Sequence, residues 1–161
     1  MTSWFRRQRD ALAAPDAEDE ADKPAALLAK TFEVAQFVNA SAGRLPGEAV
    51  VISRRITDAV RHVIETAEER PLEIYTIISI RGVLDDYLPT TLRKYLALDP
   101  GIVDVPRPSG TTPSQSLLEQ LYSLWSGVTD LANAARSQDA DALLSQGNFL
   151  RTKFTGSDLD L

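Results

Sequence analysis

Apolar residues recur along most of this chain at spacings of three and four, the mark of helices buried along one face. The clearest stripe runs from Gly47 to Arg70, where Ala49, Ile52, Ile56, Val60, Val63, Ile64 and Ala67 line up. Arg54, Arg55, Asp58, Arg61, Glu65, Glu68 and Glu69 fall mostly off it, as on a helix with one wet side. Pro71 closes that segment. Upstream, Leu27, Leu28, Val34, Phe37 and Val38 predict a helix from Pro24 to about Ala42, stopped by Gly43. Leu45-Pro46-Gly47 is the turn between the two.

The most apolar long segment is Leu72 to Leu98, and the other helices are expected to pack around it. Ile77, Ile80, Val83, Leu84, Tyr87 and Leu88 share one helical face, and Ile74, Tyr75 and Ile78 add apolar surface on other sides. A helix apolar over so much of its circumference predicts neighbours on more than one side. A strand over Ile74–Ile80 is rejected, because the run lacks a period of two. Pro89 has no N–H for the carbonyl of Asp85, and its ring crowds that carbonyl. The helix is therefore expected to kink or break between Asp85 and Thr91, with Tyr87 and Leu88 buried. Leu92, Tyr95 and Leu96 carry the stripe on to the stop at Asp99-Pro100-Gly101.

Gly101 to Thr112 reads as a loop, either a recognition loop or a crossover between helices. Thr112-Pro113-Ser114-Gln115 then predicts a helix start. Thr112 can accept from the backbone N–H of Gln115, Gln115 can reach back, and Pro113 suits the first position. Leu117, Leu121, Leu124, Val128, Leu131 and Ala135 form the buried stripe, widened by Leu118, Trp125 and Ala132. A last helix is predicted from about Gln138 to Phe154, with Leu143, Gly147, Leu150 and Phe154 on one face. The expected fold is all-α, a single bundle of about five helices over residues 24–155. A disordered tail (1–23) precedes it and an acidic tail (156–161) follows.

Composition narrows the classes of function. The 161 residues carry a net charge of −6, which argues against non-specific nucleic-acid binding. There is no cysteine, hence no disulfide framework and no thiolate chemistry. No apolar run is long enough to span a bilayer, and no apolar stretch follows the N-terminal arginines as in a secretory signal. The expected location is cytoplasmic, with the inner membrane face as the alternative. That alternative rests on Trp4, Phe5, Arg6 and Arg7, a basic-aromatic start that suits a docking peptide or a weak membrane-surface contact. The acidic run Asp16, Glu18, Asp19, Glu20 and Asp22 opposes attraction to anionic lipid.

Candidate chemistry is sparse. Arg81, Asp85, Asp86 and Arg93 could form a partner or anion surface, or simple intrahelical ion pairs. His62, the only histidine, lies on the polar side of its helix with no nucleophile or metal partner nearby. There is no Walker loop, no dinucleotide glycine fingerprint and no nucleophile elbow. One histidine without cysteine excludes most zinc sites. No catalytic residue, metal or cofactor is predicted, and enzymatic activity stays open at this point.

The combination SIRGVLDDYLPTTLRKYLAL, a loop, SLLEQLYSLWSGVTDL and GNFLRTKF resembles the XpaC-like family. Its members are also called 5-bromo-4-chloroindolyl phosphate hydrolysis proteins. The closest correspondence is Asp86-Tyr87-Leu88-Pro89-Thr90-Thr91-Leu92, a structural rather than catalytic motif, within a likeness that spans Gly47 to Phe154. The family is associated with TelA-type toxic-anion (tellurite) resistance. The resemblance implies a non-enzymatic helical interaction protein in an envelope or toxic-anion stress system, with a protein partner. The family name alone suggests the alternative, a phosphate-ester hydrolase; no residue carries that activity over. A peripheral membrane protein held by its N-terminal tail is the third reading.

Overall fold

A computed structural model describes residues 20–157. The N-terminal docking residues Trp4, Phe5, Arg6 and Arg7, most of the tail expected to be disordered, and residues 158–161 lie outside it. All regular elements among the described residues are helical. In chain order they are α1 (Pro24–Ser41), α2 (Gly47–Glu65), α3 (Ile74–Arg81), a π-helical segment (Gly82–Tyr87), α4 (Leu88–Leu96) and α5 (Pro113–Ser157). Short 3-10 turns at Ala42–Arg44 and Thr66–Glu68 end α1 and α2.

α3, the π segment and α4 form one rod. α2 packs chiefly against α5 and α1, and the rod closes the bundle between α5 and α1. Polar contacts fix the directions. Asn39 Oδ1 accepts from Arg54 Nε at 2.8 Å, so α1 and α2 are antiparallel. Tyr122 donates to Glu48 at one end of α2, and Arg70 Nη1 donates to the Gln138 carbonyl at 3.0 Å beyond the other. α2 and α5 therefore run parallel. The hydroxyls of Tyr95 and Ser114 meet at 3.0 Å, which joins the end of α4 to the start of α5. The chain thus alternates direction from helix to helix, and the connection from α2 to the rod crosses the bundle.

The core is organised around α2, not around the Leu72–Leu98 segment. Ala49, Ile52, Ile56, Val60, Val63 and Ile64 are all within 2% of fully buried. α2 has partners on two flanks and its apolar stripe is fully used. The rod buries only Ile80, Val83, Leu84, Leu88, Pro89, Leu92 and Tyr95. Each fully buried leucine or isoleucine contributes on the order of 1.5–3 kcal/mol. Ser53 is the one fully buried hydroxyl without a partner among the described residues, set among these apolar neighbours.

Pro89 shapes the rod in an unexpected way. The chain does not break: Tyr87 (φ −58°, ψ −53°) and Leu88 (φ −70°, ψ −52°) are both helical. The irregularity falls one turn earlier, where the Leu88 N–H reaches back five residues to the Val83 carbonyl. This wider turn accommodates a residue that can neither donate nor tolerate a close i−4 carbonyl. It also changes which residues face inward. Stepping by four along an α-helix drifts about 40° each time. The wide turn holds more residues per revolution and offsets that drift. Ile80, Leu84, Leu88 and Leu92 therefore all point into the core at 0% exposure. Tyr87, expected to be buried, is 59% exposed. Uniform helical spacing placed it on the inner face, and the π turn rotates it out.

The two helices predicted after the loop are one. α5 runs 45 residues without interruption, about 68 Å at the usual rise. Arg136-Ser137-Gln138-Asp139 contains neither glycine nor proline, so nothing stops the helix there. Its start is the reciprocal box read from the sequence. The Gln115 N–H donates to Thr112 Oγ1 at 3.1 Å, and the Thr112 N–H donates to Gln115 Oε1 at 3.0 Å. Leu117, Leu121, Val128 and Ala132 are buried. The side chains of Leu143, Gly147, Leu150 and Phe154 lie outside the described ones. At the far end of the rod, Arg44 Nη2 donates to the Leu96 carbonyl at 2.7 Å and occupies one of the acceptors α4 leaves over.

Leu88→Ala is expected to lower stability by about 2–5 kcal/mol, as truncation of a buried leucine does. Lys94→Ala, at an exposed position of the same rod, should stay within about 0.5 kcal/mol. Urea denaturation of the two variants checks the difference.

Candidate functional site

Of the residues proposed as a partner or anion surface, Arg81 and Asp85 pair with each other, while Asp86 and Arg93 engage other neighbours. The Arg81 guanidinium is held by two carboxylates, Asp22 at 3.1 Å and Asp85 at 3.4 Å. Those hydrogen bonds, to Asp22 first and then Asp85, raise its pKa further above the ordinary arginine value. An arginine so engaged has little left to offer a free anion. Its function is to tie the segment before α1 to the rod. Asp86 lies on another side of the helix and accepts from Thr90 Oγ1 at 3.0 Å. Arg93 stacks over the Phe37 ring at 5.4 Å, a cation–π contact between α4 and α1. His62 is exposed on α2. Among the described residues no three histidine, aspartate or glutamate side chains are grouped to hold a metal ion. No described helix is long and apolar enough to cross a membrane.

The feature that stands out is the outer side of the rod. Its apolar residues exceed what one row of neighbours covers. Ile74, Tyr75, Ile78 and Tyr87 are 58–77% exposed, although the all-round apolar pattern predicted cover for them. Ile78 and Tyr87 belong to an open groove of about 800 Å³ between the rod and α5. Val83 and Tyr87 form one wall; Leu124, Val128 and Leu131 form the other. Ser79, Thr91, Gln120 and Ser123 supply uncharged polar atoms along it, and no charged residue lines it.

Two glycines line the groove. A Cβ on Gly127 would meet nothing within 4 Å, so the α5 wall is bare backbone there. A Cβ on Gly82 would lie 3.1 Å from Tyr87 Cε2. The absence of a side chain at 82 leaves room for one edge of the exposed tyrosine ring. Both glycines sit inside helical stripes, where glycine costs about 1 kcal/mol against alanine. That mismatch was the available sequence signal for the groove.

The α2–α5 seam carries a polar contact that sequence reading passed over. Tyr122 donates to Glu48 Oε1 at 2.5 Å, and this bond raises the phenol pKa above its ordinary value. Both groups are exposed, so the contact marks register rather than a reactive centre.

No family model, curated protein or solved structure matches the chain.

A double-mutant cycle on Asp22 and Arg81 should give a coupling of about 0.2–1 kcal/mol, since both side chains are partly solvated. Added salt should shrink it. Thermal denaturation of the four proteins at two salt concentrations measures both.

Proposed function

We propose that this is a non-enzymatic interaction protein whose partner lays an amphipathic helix into the groove between the rod and α5. The observation that carries the reading is the uncovered apolar lining of that groove, with Ile78 and Tyr87 more than half exposed beside it. A shallow channel between two antiparallel helices suits a third helix, whose apolar face repeats at three, four and seven residues. The bare backbone at Gly127 lets a partner backbone come close. Exposed Ile74 and Tyr75 extend the apolar surface beyond one end. An envelope or toxic-anion stress system is the proposed setting, on the strength of the sequence resemblance.

A photo-crosslinking residue at exposed position 123, on the groove's edge, tests the reading in the native cell, with the same residue at exposed Glu65 as control. Position 123 is expected to trap one partner reproducibly and position 65 not to. Gly127→Trp should fill the groove, leave the melting temperature within a few degrees and compete the partner away. Equal crosslinking at both positions, or undiminished capture by Gly127→Trp, would contradict it.

A further inference from the structure

The groove does not end at Thr91 and Gln120. Those two residues also line a second, adjoining concavity of about 340 Å³ between α4, the start of α5 and the preceding loop. Its lining includes Lys94 and Arg107 and no carboxylate. In a chain of net charge −6 that is a local reversal of sign. Neither cation has a carboxylate partner among the described residues, whereas Arg81, Arg61, Lys23 and Lys30 all do.

The loop that carries Arg107 is built rather than slack. Arg107-Pro108-Ser109-Gly110 is a turn closed by the Gly110 N–H donating to the Arg107 carbonyl at 2.8 Å. Pro108 presets its backbone angle and Gly110 takes φ +88°. The Arg107 N–H donates in turn to the Thr111 carbonyl at 3.0 Å. This turn holds Arg107 at the rim with its backbone donor already used. The first N–H groups of α5 are also spent, on Thr112 Oγ1, the Thr112 carbonyl and the Val103 carbonyl. The positive character of the concavity therefore resides in the Lys94 and Arg107 side chains.

We infer that the partner helix ends in a cluster of carboxylates that settles over Lys94 and Arg107 while its apolar residues fill the groove. This deepens the docking reading above and rests on it. From Ile78 to Lys94 the surface is continuous for about 24 Å, the length of a helix of about sixteen residues. It is apolar at one end and cationic at the other, so a segment with the matching gradient binds in a single direction. Paired charges at such a rim add orientation and encounter rate more than affinity. Arginine also offers a two-pronged geometry that carboxylates match.

Selection from a displayed library of randomised helical peptides, with the intact protein as bait, tests the inference. Selected peptides are expected to combine an apolar three-four repeat with acidic residues crowded at one end. Lys94→Glu with Arg107→Glu should weaken them at least tenfold and remove most of the salt dependence. Arg136→Glu, on α5 away from both surfaces, should change little. Gly127→Trp should abolish binding altogether. Selected peptides with no acidic end, or undiminished binding to the charge-reversed protein, would overturn the inference. If Gly127→Trp still abolished binding in that case, the groove reading would stand without it. Binding that ignored Gly127→Trp would defeat both.

Discussion

A helix that contains a proline must dispose of one carbonyl and one ring, and this chain does so with a π turn at Gly82–Tyr87. The rest of the rod follows from that choice. Because the Leu88 N–H reaches to Val83, the buried row runs Ile80, Leu84, Leu88, Leu92 without drifting off the core. The same rotation turns Tyr87 to the outside, over the one position, Gly82, where no side chain obstructs it. A single missing donor thus decides both what the rod buries and what it leaves exposed.

The outward surface has a further cause in the bundle's connectivity. α2 is flanked by α1 and α5 and spends its apolar stripe completely. The rod has too few neighbours for its apolar residues, so the excess lies in the groove beside α5. Arg81, tied to Asp22 and Asp85, secures the entry of α1 to this rod. Arg44 on the Leu96 carbonyl closes the opposite end. Exposed apolar surface and buried scaffold are therefore two sides of the same rod.

Much of the fold was legible because local chemistry decides it. The Pro24 start, the Gly47 start, the Thr112–Gln115 box and the burial of Leu88 each follow from a few neighbouring residues. Three features were not legible, each for a different reason. The continuity of α5 through Ser137 depends on the absence of a stop signal, which the mostly polar stretch between Ala135 and Leu143 obscured. The rank of α2 over the Leu72–Leu98 segment depends on how many neighbours each helix acquires, and apolar content alone does not give that. The exposure of Tyr87 depends on a local change of helical pitch that uniform spacing misses. The groove belongs with these last two: its glycines were visible in the sequence, but the uncovered side of the rod was not. Of Arg81, Asp85, Asp86 and Arg93, the first two form the intrahelical ion pair that their spacing allows, while Asp86 bonds Thr90 and Arg93 stacks on Phe37.

The most direct test exploits the absence of cysteine from the chain, which leaves introduced thiols without background. Tyr87→Cys and Leu88→Cys differ by one position and by the full contrast between outside and core. Under native conditions the thiol at 87 should react with a maleimide nearly as fast as in the unfolded protein. The thiol at 88 should be protected by several orders of magnitude, through the opening equilibrium of a buried core position. Comparable labelling rates at 87 and 88, or protection at 87 with reaction at 88, would contradict the π-turn register on which the rod and its groove depend.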